Sequence, residues 1–379
     1  MSIRKVPMLI NGQEFSSTSS TWVDVLNPAT QEVVAQVPFA TLEEVDHAVA
    51  NAKQAFKSWR KVSLAKRQQF LLTFLQLARA NTTHIAELIT LEHGKTLPDA
   101  EGEVGRGIEA IENACMVTKL QLGELADNVA GNVNVYTLNK PLGVGVGITA
   151  FNFPIMLPCF MFPIAIACGN TFVLKPSEQD PTSTMFLAKL AYEAGLPPGV
   201  LNVVHGGADV ANHLAEHEDV KALSFIGSTH VGSSLYRRAS NAGIRAQCMM
   251  GAKNHCVIMP DANKGQAINH LLGSCFGAAG QRCMANSVAI LVGETKHWLP
   301  EIVEKAKAMT IDVGTNRAAD LGPLVSPQAK QRVEGLIASG VEQGATLLLD
   351  GRNPQVDGFD KGNFVAPTIF SEVNTDMDI

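Results

Sequence analysis

The chain has 379 residues, enough for two or three domains at ~100–200 residues each. Thirty Lys and Arg against 36 Asp and Glu give a net charge of −6, which leaves no broad basic face and points away from nucleic acid or an anionic membrane as a partner. Apolar residues make up 46% and charged residues only 17%, against a usual ~25%, so the protein has much interior per unit of surface or hides surface in an assembly.

Two apolar runs near the start, PMLING and TWVDVLNP, read as the strands of an N-terminal hairpin. Helices follow. In TLEEVDHAVANAKQAFKSWR, Thr41 and Glu44 stand at capping-box spacing, and Val45, Ala48, Ala52 and Phe56 recur at helical intervals. The stretches from Ser63 to Lys95 and from Pro98 to Leu122 continue as amphipathic helices. GNVNVYTLNKPLGV then changes period, with Val133, Val135 and Thr137 alternating with polar residues as in an extended arm.

From Pro141 to Leu174 there is no charge, which raises the question of a membrane span. Pro154, Pro158 and Pro163 interrupt this block, and each removes a backbone donor that lipid could not replace. A buried segment of an α/β protein is the better reading. Strands and helices alternate from here: GVGVGITAF, NTFVLKP, VLNVVHG and ALSFIG are strands, each followed by a helix, which implies a parallel sheet. A second α/β region begins near Gly251.

The seven cysteines, at 115, 159, 168, 248, 256, 275 and 283, are odd in number and form no CxxC. That argues for a reducing compartment and against a disulfide framework or a metal site. The N-terminus lacks the apolar run of a signal peptide, so a cytoplasmic location is expected, or the mitochondrial matrix in a eukaryote. Among the cysteines, Cys283 in FGAAGQRCMAN stands apart: it follows small residues and adjoins Arg282, whose charge favours a thiolate. PLGVGVGIT fails the dinucleotide pattern at Ile148, and FIGSTHVGSS has Ser233 where a P-loop has its lysine. Gly227 and Ser228 nevertheless follow a strand and open a helix, a suitable place for a phosphate or for a plain turn. Lys175 and Glu178 lie at a strand's carboxyl end, where they would grip ribose hydroxyls or simply form a solvated turn.

FNFP (151–154), KPSE (175–178), FIGS (225–228), GAKN (251–254) and GQRC (280–283), with LGPLVS (321–326) and GNFVAPTIF (362–370), occur in the order and spacing of the aldehyde dehydrogenase superfamily, which the chain resembles over nearly its whole length. The resemblance implies an α/β, aldehyde dehydrogenase-like fold. In it a Rossmann-like NAD-binding domain (1–122 and 145–250) is joined to an α/β catalytic domain (251–379, incomplete at its C-terminus), with a β-arm for oligomerisation (123–144). It implies Cys283 as the thiol that attacks the aldehyde, and Asn152 as the amide that meets the oxyanion. It also implies Phe151, Lys175, Glu178, Gly227 and Ser228 as contacts to NAD, with Glu178 repelling a 2′-phosphate.

Hydrolytic members carry a glutamate two residues before the GGKN-like motif, where this chain has Met249. A thioether cannot abstract a proton. That loss, with MGAKNH and GQRCMA, resembles the acylating, methylmalonate-semialdehyde branch, in which coenzyme A takes the acyl group. By the same resemblance Arg106 and Arg282 bind the carboxylate of a small aldehyde substrate, a role that suits guanidinium. For Arg106 the alternative is an ion pair with Glu103 or Glu109 on a solvated face. A homodimer or tetramer is the family's expectation. The family continues beyond SEVNTDMDI, so a truncated enzyme is expected, with an inactive fragment as the other reading. A hydrolytic semialdehyde dehydrogenase is the alternative activity.

Overall fold

A computed structural model describes residues 3–379. The chain forms two compact units: the first takes the residues up to Asp24, Ala35–Ile85 and Gly102–Met250, and the second takes Val25–Val34, Ala86–Glu101 and Gly251–Ile379.

The first unit is built on a seven-stranded sheet of β1 (Met8–Ile10), β2 (Gln13–Phe15), β3 (Val144–Ile148), β4 (Thr171–Lys175), β5 (Leu201–Val203), β6 (Val220–Ile226) and β7 (Arg245–Met249), in the spatial order β7-β6-β3-β4-β5-β1-β2. The strands β3 to β7 are parallel, and β1 and β2 join antiparallel at one edge. Every residue of β3 and β4 is buried, as a parallel strand covered on both faces requires. Gly145 and Gly147 serve packing here: a Cβ at either position would lie 3.1 or 2.7 Å from the Phe172 ring. Helix Leu42–Trp59 begins at the expected capping box and buries Val45, Ala48, Val49 and Ala52 against Val144, Val146, Ile148 and Val173.

The N-terminal runs are both strands, but they are not partners. Met8–Ile10 turns back on Gln13–Phe15, while Trp22–Leu26 belongs to a separate three-stranded sheet with Arg4–Lys5 and Val33–Pro38. The short turn at Asn11–Gly12, both at positive φ, closes the hairpin before the second run is reached. The uncharged block becomes β3, helix α2 (Met156–Ala167) and β4, and α2 is apolar on all sides, as an interior helix is. Among the described residues no helix is long and apolar enough to cross a membrane. The helix preceding the arm, α1, spans Leu97–Cys115, and the arm is a hairpin of Leu125–Ala130 with Val133–Tyr136, every residue of it exposed.

In the second unit β8 (Asn254–Ile258) and β9 (Asn286–Leu291) pair in parallel, and helix Lys264–Phe276 packs Ile268, Leu271 and Leu272 on Ile258 and Ile302.

His205 gives the first unit a measurable pH dependence. It is fully buried, and its Nε2–H donates to the Pro7 carbonyl at 3.0 Å. Burial first, and then the charge of Lys175, pull its pKa down from 6.5 to about 4, opposed by the Pro7 bond. Between those values the unfolded chain takes up a proton that the native one refuses, so stability rises with pH across that window and is lost as pH falls. Denaturant titrations at pH 7 and pH 5 should differ by about 2 kcal/mol from this residue, and His205→Gln should remove that part of the difference.

Candidate active site

The register of the parallel strands sets the first part of the site. Ile148 pairs with Lys175, Phe225 with Ile148, and Ile226 with Met249, so β4, β3, β6 and β7 end at one level. The loops that leave this carboxyl edge carry Phe151 and Asn152, Lys175 and Glu178, Gly227 and Ser228, and Met249 and Met250. Ligands bind at such an edge in open α/β sheets.

Lys175 is buried, not the solvated turn the sequence allowed. Its Nζ donates to the Gly206 carbonyl at 2.7 Å and the Pro176 carbonyl at 2.9 Å, with the Glu178 carboxylate at 3.4 Å. Burial pulls its pKa down and Glu178 opposes that. Gly206 reaches Lys175 at φ +156, and a Cβ on it would lie 2.4 Å from Val210, so no other residue fits. Glu178, a third exposed, is the open side of the pair. Ser228 caps helix α3 (Thr229–Asn241) by accepting from the Val231 N–H, and the Gly227 N–H donates to the Met249 carbonyl. Gly227 lies against the Phe225 ring and Gly232 under Met250, where a Cβ would come within 2.6 Å of a Met250 carbon. Small residues thus line the start of α3, where the helix dipole favours an anion.

In the second unit Cys283 is exposed at the end of a strained loop. Ala278 and Ala279 both take φ near +50, a conformation that costs a residue with a Cβ ~1–2 kcal/mol. Three side chains hold the loop in that shape. Asp99 accepts from the Ala278 N–H at 3.0 Å and from Arg282 at 2.5 Å. Gln281 accepts from the Val325 N–H at 3.1 Å. Asn254, the last residue of GAKN, donates its amide to the carbonyls of Cys283 (2.8 Å) and Ala285 (2.9 Å). Burial raises the pKa of Cys115, Cys159, Cys168, Cys248 and Cys275, the last to about 11.

The two arginines differ. Arg106 is two-thirds exposed and pairs only on the surface, with Glu109 at 2.8 Å, an exchangeable contact. Arg282 is three-quarters buried against Asp99 and the Gly273 carbonyl, so it takes a substrate carboxylate only by sharing or releasing Asp99. Asp99 and the Gly206 carbonyl carried no signal in the sequence, whereas Asn254 lay inside a recognisable motif. Among the described residues one group, Asp46, His213 and His217, has metal-ligand spacing. There the Asp219 N–H donates to His217 Nδ1 at 3.1 Å, which leaves the ring proton on Nε2 facing Asp46, a hydrogen-bonded cluster and not a coordination site.

A model of the aldehyde dehydrogenase family matches residues 15–379. The chain belongs to that family. It is 52% identical over 376 residues to the mitochondrial methylmalonate-semialdehyde/malonate-semialdehyde dehydrogenase [acylating] of Mus musculus, covering 99% of this chain and 70% of that protein. A crystal structure of methylmalonate-semialdehyde dehydrogenase from Oceanimonas doudoroffii superposes with a TM-score of 0.96 at 42% identity, over 99% of this chain and 77% of that one. A structure from Sinorhizobium meliloti 1021 complexed with NAD gives 0.96 at 41% identity, over 100% and 77%. The protein is an aldehyde dehydrogenase, an oxidoreductase acting on an aldehyde group.

Proposed function

We propose that the protein is an NAD-dependent, coenzyme A-acylating dehydrogenase of methylmalonate semialdehyde, and of malonate semialdehyde, forming propionyl-CoA or acetyl-CoA with loss of the carboxyl group as CO2. Its setting is then valine catabolism. The observation that carries the acylating reading is Met249, half-exposed at the carboxyl end of β7, where hydrolytic members of the family place a glutamate. The names of the curated relatives point the same way.

In this reading the first unit binds the dinucleotide and the second carries the nucleophile. NAD, which Phe151, Lys175, Glu178, Gly227 and Ser228 would hold, would supply the hydride acceptor. The protein does the rest. The Cys283 thiolate attacks the aldehyde carbon, and the oxyanion that forms is met by the Asn152 amide and the Cys283 backbone N–H. Loss of hydride from that carbon leaves a thioester on Cys283. The substrate carboxylate, β to the thioester carbonyl, leaves as CO2, and the electron pair of the broken C–C bond passes into the thioester enolate, which takes a proton from water at the α-carbon. The coenzyme A thiol, giving up its proton to water, then attacks the propionyl or acetyl thioester carbonyl, and Cys283 leaves as thiolate. Glu178, beside the pinned Lys175, accepts from ribose hydroxyls, and Gly227 and Ser228 at the start of α3 face the pyrophosphate, an arrangement the open helix terminus fits. Phe151 lines the same edge. Arg106, whose surface pair with Glu109 is exchangeable, binds the substrate carboxylate, and Arg282 does so by sharing or releasing Asp99. The exposed arm, with Leu125, Val133, Val135 and Tyr136, serves a dimer or tetramer.

The test is NADH formation from methylmalonate semialdehyde with and without coenzyme A. Turnover should require coenzyme A and give the acyl-CoA, and a coenzyme A-independent rate yielding free acid would overturn the reading. Met249→Glu should raise hydrolysis at least about tenfold, a fraction of the ~10²–10⁴ that a well-positioned base supplies.

A further inference from the structure

Helix α2 starts inside the uncharged block, and a helix start leaves four backbone N–H groups without partners in the helix. Ser, Thr, Asp or Asn normally accepts one of them. Here the N-cap is Ile155, which makes no side-chain bond; no Ser, Thr, Asp or Asn stands between Phe153 and Leu157, and the Phe153 carbonyl accepts from the Leu157 N–H, at 3.1 Å, leaving the Ile155 and Met156 N–H groups. The acceptor comes from another helix. Glu103, 3% exposed on α1, places Oε1 2.8 Å from the Ile155 N and 3.3 Å from the Met156 N. One turn on, Gly107 lets α1 approach: a Cβ there would lie 2.9 Å from an Ile155 methyl and 3.3 Å from Cys159 Sγ. From the other side, the Thr184 hydroxyl donates to the Pro154 carbonyl at 2.6 Å.

We infer that Glu103 is a positioning residue for the oxyanion amide. It holds the backbone three and four residues beyond Asn152, and only Phe153 and Pro154 lie between. The ring of Pro154 locks its φ, so the hold on Ile155 passes back along the loop with little slack. Arg106 lies three residues after Glu103 on α1, so the same carboxylate joins the helix of the proposed substrate arginine to the loop of the proposed oxyanion donor. The acid suits the place, since a carboxylate is stabilised at a helix N-terminus. The inference rests on the reading of Asn152 as that donor.

A double-mutant cycle on the full-length protein tests both and separates them, with the pre-steady-state rate of NADH formation and the NAD dissociation constant as readouts. Glu103→Ala should slow the burst about tenfold, the size of effect that misplacing a catalytic group produces, with NAD affinity within about twofold. Glu103→Gln keeps an acceptor oxygen and should stay within about threefold of the parent. In the Asn152→Ala background, Glu103→Ala should change the rate by less than about twofold, the scatter of independent effects. A full tenfold loss in that background overturns the inference, as does a parallel loss of NAD affinity or no effect in the parent. Should Glu103→Ala fail to fold, Glu103→Asp, one methylene shorter, enters the same cycle with the same two outcomes. If Asn152→Ala alone leaves the burst unchanged, the reading of Asn152 fails and the inference with it, whereas a slowed burst with an additive Glu103 effect refutes the inference alone.

Discussion

Cys283→Ala lowers kcat/KM for aldehyde oxidation by at least ~10⁴-fold, the scale seen when a covalent nucleophile is removed. The expectation rests on contrast within one chain. Cys115 and Cys159 are buried, and burial raises the thiol pKa at five of the other six cysteines, which favours the unreactive thiol. Cys283 alone is exposed, and the protein holds its loop in an unfavourable backbone shape with Asp99, Gln281 and Asn254. A loop so over-determined is kept for what it presents. Iodoacetamide at one equivalent should therefore label Cys283 first, read by peptide mapping, and activity should fall in step with that label. Cys159→Ala and Cys275→Ala should retain the activity of whatever protein folds. A Cys283→Ala protein that keeps more than about a hundredth of the parent rate would show that the thioester forms elsewhere or not at all.

How much of this could be read beforehand depends on the distance along the chain. The capping box at Thr41 and Glu44 is written in four residues and is formed as expected. The alternation of strands and helices from Val144 to Met249 follows from local period, and the sheet has that content. The pairing of the N-terminal strands is not local and so leaves no mark in their own sequence: Leu9 lies beside Val203, and the second run pairs with Val33–Pro38. The burial of Lys175 was hidden for the same reason, since its strongest acceptor, the Gly206 carbonyl, is 31 residues away. Asp99 reaches Arg282 across 183 residues, and nothing around Asp99 marks it as the support of a cysteine loop. Glu103 read only as one acid among several on a helix face. What marks it is the uncharged block, whose helix starts with the Ile155 and Met156 N–H groups and with no capping side chain of its own.

Asn152→Ala lowers the rate of the burst by ~10²–10³, or ~2.7–4 kcal/mol, as removal of one preorganised oxyanion donor does in acyl chemistry. The reason is timing. An amide fixed before the reaction needs no reorganisation when charge appears on the substrate oxygen, whereas water must turn to meet it. Asn152 is half-buried at the sheet edge, two residues before a carbonyl held by Thr184 and three before an N–H held by Glu103, so its backbone is fixed in advance. Asn152→Asp should be at least as damaging, because a carboxylate has no proton to donate and adds a like charge to the oxyanion. Both variants should bind NAD as the parent does and lose kcat rather than gain KM, the mark of an interaction made only in the transition state. If Asn152→Asp outperforms Asn152→Ala, the side chain is handling a proton instead of stabilising an anion. The oxyanion then depends on the Cys283 backbone N–H alone.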